Sequence, residues 1–347
     1  MMRSSTSLLT AVLIMPRCCQ SVPLLERIAA KASEPHACRA AAASQTAAGI
    51  RMHAWTAGPE TCVFYLLARH STGAVAEQGP FLGASTLAFA AGMRDAEQAG
   101  NPARTFLTMD AFPLRANADI FSYPHYWKYE TYTRTDGSNI SGYALYINNE
   151  RTSAQNQLMD EREYNKAVAP YVSGAGGQLG TLVSNLAAAG LLRFVTVTLA
   201  TTFPAVTPFE VIFSDSVHNA LELERALPRM LNVSTAAHHA RSGGQGKFEL
   251  IWREGGGEAA CTTLAFHDVA QDMAWPGVGV WKPITLLPDG LKAECRVFNG
   301  GGEPVNCLHK AIDAKLVAWG YTVVARMAAG RVYIVSVMKG GRVRGAL

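Results

Sequence analysis

The sequence predicts an α/β protein built on a doubly wound, mostly parallel sheet, with a C-terminal antiparallel hairpin and a long insertion after the second strand. Three observations carry this. Short apolar runs alternate with helical patterns along most of the chain. Several of those runs end on a polar residue: Glu77, Asp110, Asp215 and the pair His267-Asp268. The tail holds two more runs, 321–327 and 331–338, facing each other across Ala329-Gly330. Strand tips of this kind converge on one crevice at the carboxyl edge of a parallel sheet.

The chain has 347 residues, 49% of them apolar, enough for one large α/β unit with a sizeable core. Its net charge of +4 is spread out, without the basic stripe of a nucleic-acid interface. Seven cysteines show no Cys-x-x-Cys pairing, which argues against a disulfide framework and a zinc site and favours a reducing compartment.

Residues 1–51 read as a leader, rich in Ala, Ser and Arg, and 52–347 as the folded domain with an insertion at 111–177. Three readings of the leader are open: an organellar transit peptide, a disordered leader, or an over-extended start with Met52 as the true beginning. The run 8–15 falls short of the about 20 apolar residues a bilayer crossing takes, and no other segment reads as a membrane span. The compartment expected is therefore cytoplasm, or an organellar matrix or stroma if the leader is a transit peptide.

In order, 55–69 reads as a helix entered near Thr56 and Pro59. Strand 73–77 closes on Glu77, and Gly79 and Gly83 bracket a tight loop where a Cβ would obstruct a ligand's approach to the backbone. Ser85 and Thr86 stand where hydroxyls can satisfy amide donors at the start of helix 85–98. Strand 104–110 ends on Asp110, where a doubly wound nucleotide site holds ribose hydroxyls. The pattern then degrades through the aromatic segment 121–132. That insertion reads either as a lid whose aromatics stack on a ring substrate or as a packed surface subdomain. Helix 179–190, strands 193–199 and 209–215, helix 219–231 and strand 261–268 restore the alternation.

With those residues placed, the chain resembles the class I S-adenosylmethionine-dependent methyltransferases, most closely the branch that methylates sugars and other small hydroxylated compounds. The first motif of that branch is similar to Glu77-x-Gly79-x-x-x-Gly83-x-Ser85-Thr86. Asp110 falls at the ribose-binding acid, Asp215-Ser-Val-His218 resembles an Asp-Gly-x-His element with Ser216 for glycine, and 264–269 resembles the fifth-strand signature. The hairpin matches the reversed last strand of such enzymes. The resemblance implies a small-molecule or glycan acceptor, S-adenosylmethionine held by Glu77, Gly79, Gly83, Ser85, Asp110 and Asp215, and catalysis by His267, His218 and Asp268. It also implies a magnesium-like ion on Asp215 and Asp268, although His267, where a second acid often lies, suits magnesium poorly. Neither nucleic acid nor membrane is an expected partner, and a homo-oligomer is compatible with the sequence.

Two other functions stay open: a catalytically silent methyltransferase-like scaffold, and an NAD(P)-dependent reductase. The reductase rests on 172–180, a glycine run resembling Gly-x-x-Gly-x-x-Gly. Pro170 spoils the preceding strand and no Tyr-x-x-x-Lys follows, so those glycines read as a flexible joint closing the insertion. His218 also reads as a surface histidine, Asp215 as a cap for the following helix, and His238-His239 as solvated.

Overall fold

The computed structural model describes residues 21–32, 34, 36–47, 58–112, 114–115, 125–147, 149–151, 158–172, 176–204, 208–215, 220–237, 261–267, 284–286, 308–330 and 332–339. The parallel part of the sheet comprises β1 (Ala74–Gln78), β2 (Phe106–Asp110), β7 (Thr196–Leu199), β8 (Phe209–Ser214) and β9 (Cys261–Phe266). Antiparallel β12 (Val332–Lys339) pairs with β9, and β11 (Tyr321–Ala329) and β10 (Ile284–Leu286) extend that edge. The order β10-β11-β12-β9-β8-β1-β2-β7 reverses its winding between β1 and β8, so the switch point lies at the carboxyl ends of those two strands.

Alternation along each strand sends side chains to two faces, and both are covered. On one face Val75, Phe106, Val211, Phe213, Ala265 and Ile334 pack against α3 (Gly58–His70) and α4 (Ala84–Gln98). On the other, Ala76, Met109, Ile212, Leu264 and Val335 pack against α8 (Ala220–Asn232) and α9 (Leu308–Ala318). The buried stretch of α3 runs from Glu60 to Ala68, as expected of a helix apolar nearly all round. At 25 cal/mol per Å², burying side chains such as Phe64, Phe89 and Phe213 stabilises by roughly 2–3 kcal/mol each before entropy is counted.

Two sequence expectations change. Residues 21–47 are part of the fold: α1 (Ser21–Ala32) and α2 (Arg39–Ala47) join the first core through Leu24, Leu25, Ile28 and Ala41. Leu24, Leu25 and Ile28 make one apolar helix face, a periodicity that the Ala-rich composition hides. Residues 1–20 of the leader lie outside the described residues. Second, Cys38 and Cys62 are joined by a disulfide, with Cα atoms 5.1 Å apart, and Cys261 is disulfide-bonded too. Packing brings together cysteines that spacing does not pair, and the expectation of a reducing compartment loses its support. The described part of the connection from β7 to β8 carries no helix, and Phe203 covers that face of the sheet. α9 and β10 precede the hairpin, whose turn holds Gly330 at φ 57°.

The insertion is a second sheet, β3 (Leu114–Arg115), β4 (Tyr126–Thr133), β5 (Asn139–Ile147) and β6 (Glu150–Arg151), followed by α5 (Glu161–Ala167) and α6 (Ala169–Val172). Its aromatics pack on one another. Tyr143 and Tyr164 stack at 3.5 Å between centroids, Tyr126 and Tyr146 at 5.0 Å, and Trp127 tilts against Tyr164. That is a packed subdomain. Among the described residues, no helix is long and apolar enough to cross a membrane.

Candidate active site

The two-residue period puts Glu77 in phase with Val75, Asp110 with Phe106, Asp215 with Phe213 and His267 with Ala265. All four therefore point to the α3–α4 face, at the carboxyl edge of adjacent parallel strands. The register ties that edge together: Gln78 pairs with Met109 and Ser214, and Ser214 with Phe266. Asp215 N–H donates to Gln78 O at 2.9 Å, and His267 N–H to Ser214 O at 3.1 Å.

Glu77 is fully buried and accepts from the Ser85 hydroxyl, from Thr86 Oγ1 at 2.6 Å and from Thr108 Oγ1 at 2.7 Å. Its carboxylate fastens β1 to β2 and to the start of α4. Burial pushes its pKa from 4.5 to about 7, against the pull of the three hydroxyls. Ser85 and Thr86 thus serve Glu77 instead of capping the helix, whose N-cap, Gly83, has no side-chain bond. The glycines are also constrained by the protein itself. A Cβ on Gly79 (φ 85°) would meet the Asp215 backbone oxygen at 3.1 Å, and one on Gly83 (φ 96°) would run into Leu182. The packing of the turn therefore already requires glycine at both positions.

Asp110 keeps some exposure at the tip of β2. Its carboxylate accepts from Gln178 Nε2 at 3.0 Å and from the Phe112 amide at 3.4 Å, and also takes the Ala111 and Phe81 amides. Desolvation raises its pKa from 3.8 to about 6, with those donors pulling the other way. Beside it, Ala200 N–H donates to Asp110 O at 3.1 Å, and Leu199 is 50% exposed.

The glycine run read as a joint is the source of that amide donor. Gly176 (φ 83°) caps α7 (Gly177–Ala188), and Gln178, Leu182 and Asn185 share one helix face. Gln178 Nε2 also donates to Phe81 O at 3.2 Å and Asn185 Nδ2 to Leu82 O at 2.9 Å. α7 therefore grips the 80–83 turn through its carbonyls. The described element before it is α6, not the strand that a dinucleotide fingerprint requires.

His267 is 1% exposed, with Nδ1 2.9 Å from Asp215 Oδ1 and Nε2 3.4 Å from Glu60 Oε2. Each ring nitrogen thus lies beside a carboxylate, one at the tip of β8 and one on α3. The base expected at His267 is buried between them, and Asp215, not His267, reaches solvent. Glu60, in the first turn of α3, is fully buried. Asp215, with its side chain 21% exposed, is the solvent-facing end of the row.

His218 and Asp268 lie outside the described residues, as do Thr56, His238 and His239. The pair expected to bind a divalent ion, Asp215 and Asp268, cannot be assembled from what is described. Among the described residues, no group of three or more His, Cys, Asp or Glu side chains is arranged to hold a metal. The Glu60–His267–Asp215 row does not make one, because its carboxylates sit on opposite ring nitrogens.

No family model matches the chain, and no curated protein matches it. Among solved structures, it is similar to the O-methyltransferase from Bacillus cereus in complex with SAH, at 12% identity, TM-score 0.40, covering 91% of this chain and 97% of that one. It is also similar to the O-methyltransferase TomG from Streptomyces achromogenes in complex with SAM, at 12% identity, TM-score 0.39, with 89% and 92% covered. The SAH-bound methyltransferase PaMTH1 of Podospora anserina is 10% identical, with TM-score 0.39 and 98% and 100% covered. The fold class rests on the strand order itself: a mostly parallel α/β sheet with reversed β12 between β9 and β11.

Proposed function

We propose that this chain is an S-adenosylmethionine-dependent methyltransferase acting on a hydroxyl of a small molecule or sugar. The observation that carries the reading is the single carboxyl edge on which Asp110, Asp215 and the 79–83 turn meet at the switch point of the sheet. The donor set suits the cofactor. Asp110 already accepts amide donors and would take ribose hydroxyls in their place, while Asp215 offers a carboxylate to the cationic part. S-adenosylmethionine would supply an electrophilic methyl group. The chain's own work is orientation: Glu77 fixes the strand–turn–helix unit, α7 fixes the turn, and Glu60 with His267 fixes Asp215. Asp215 is also the described group best placed to receive the acceptor's proton.

Titration calorimetry with S-adenosylmethionine and S-adenosylhomocysteine tests this. The folded protein should bind both, and Asp110→Ala should weaken binding by roughly 1–3 kcal/mol. No binding would defeat the reading; unchanged affinity in Asp110→Ala would remove Asp110 from the site. The burial of His267, 1% exposed between Glu60 and Asp215, favours one second reading, a silent scaffold that binds the cofactor without turning it over. Methyl transfer to any hydroxylated acceptor by the pure protein excludes it.

A further inference from the structure

Gln178 has no counterpart in the roles the sequence suggested, yet it is 3% exposed and bonded to Asp110. Its two partners, Asp110 Oδ2 and Phe81 O, are both acceptors, so the carboxamide nitrogen faces them. An ionised carboxylate has about four acceptor sites. Asp110 takes Gln178 on Oδ2 at 3.0 Å and the Phe112 amide on Oδ1 at 3.4 Å, with the Phe81 and Ala111 amides also directed at it. A ligand hydroxyl that bonds Oδ2 of Asp110 therefore competes with the donor already there. Three of those donors are backbone amides, held by the exit of β2 and by the 80–83 turn. The fourth is a side chain, on a helix entered through two successive left-handed glycines, Gly176 (φ 83°) and Gly177 (φ 55°). Gln178 is the donor that can leave by rotating about its own bonds. Its departure does not free the turn, because Asn185 still holds Leu82 O and Leu182 still fills the space beside Gly83.

We infer that Gln178 is an internal stand-in for a ligand hydroxyl at Asp110, exchanged for the vicinal diol of a ribonucleoside, and that it sets the affinity and the hydroxyl requirement of the site. The inference needs only a ribose; that the ribose belongs to S-adenosylmethionine rests on the reading above. A side chain that must vacate its seat competes with the ligand, so the apparent affinity falls by the fraction of molecules already vacated. Removing the competitor restores that factor, while the protein without ligand loses a buried hydrogen bond.

The test is calorimetry with S-adenosylhomocysteine and with adenosine, plus thermal melts without ligand, on the full chain and on Gln178→Ala, Gln178→Met and Asn185→Ala. Gln178→Met keeps the volume without the donor and stands in should Gln178→Ala not fold. Both Gln178 variants should bind S-adenosylhomocysteine about tenfold more tightly than the parent, the factor equivalent to about 1.4 kcal/mol, and melt lower without ligand. Asn185→Ala should melt lower with no gain in affinity. The gain should vanish for a 2′,3′-dideoxy analogue. If S-adenosylhomocysteine binds to neither parent nor variants while adenosine binds the Gln178 variants more tightly, the methyl-donor reading fails and this inference stands. If neither ligand binds the Gln178 variants more tightly than the parent, or the gain persists for the dideoxy analogue, Gln178 is not a stand-in for the diol.

Discussion

Replacing Glu77 by Gln should flatten part of the protein's pH–stability curve. The Glu77 carboxyl is fully buried between β1, β2 and α4, and burial raises its pKa from 4.5 to about 7. The folded state therefore holds this proton more tightly than the unfolded chain does. Its contribution to stability is fully present below 4.5 and is lost as pH rises through 7. At about 1.36 kcal/mol per pH unit, that interval amounts to roughly 3 kcal/mol. Urea unfolding of the parent and of Glu77→Gln, from about pH 4.5 to about pH 8, isolates this group together with its coulombic coupling to Asp215, since titrations of uncoupled groups cancel in the difference. The variant should gain on the parent by roughly 3 kcal/mol across the series, wherever it starts, because repacking of Ser85, Thr86 and Thr108 shifts the offset and not the slope. A difference that stays constant with pH would refute the reasoning and mean that the Glu77 proton is held alike in both states.

Two further substitutions probe the frame around the site. A Cβ on Gly92 would run into the Tyr65 backbone carbonyl where α4 crosses α3; Gly92→Ala should cost about 1–3 kcal/mol in denaturant unfolding, and a neutral result would deny that close crossing. Leu25→Ala in α1 should cost about 2–5 kcal/mol, because the side chain is fully buried in the first core; a loss below about 0.5 kcal/mol would return residues 21–32 to a detached leader.

The parallel strands were legible because each is a short apolar run closed by a turn, and Glu77, Asp110 and Asp215 could be placed at their tips by that alone. What the tips do was not legible. Glu77 and Asp110 are both acids at strand ends, yet one fastens secondary structure internally and the other keeps an exposed edge; the difference lies in Thr108 and Gln178, which come from other elements. Glu60 is 207 residues from His267 in sequence, and nothing local to α3 marks its carboxylate as buried. The spacing of Gln178, Leu182 and Asn185 was a usable signal: two carboxamides on one helix face behind a glycine pair are costly to expose to an apolar core unless carbonyls await them. The N-terminal helices escaped notice because Ala and Ser dominate their composition, while three residues, Leu24, Leu25 and Ile28, make the contact.

The most direct test of the central claim is a crystal structure of the protein grown with S-adenosylhomocysteine. The account predicts the nucleoside at the carboxyl edge, with ribose hydroxyls within hydrogen-bond distance of Asp110 and the Gln178 side chain turned away. A ligand bound elsewhere, or one at that edge with Asp110 still bonded to Gln178 and no contact to the ribose, would contradict it.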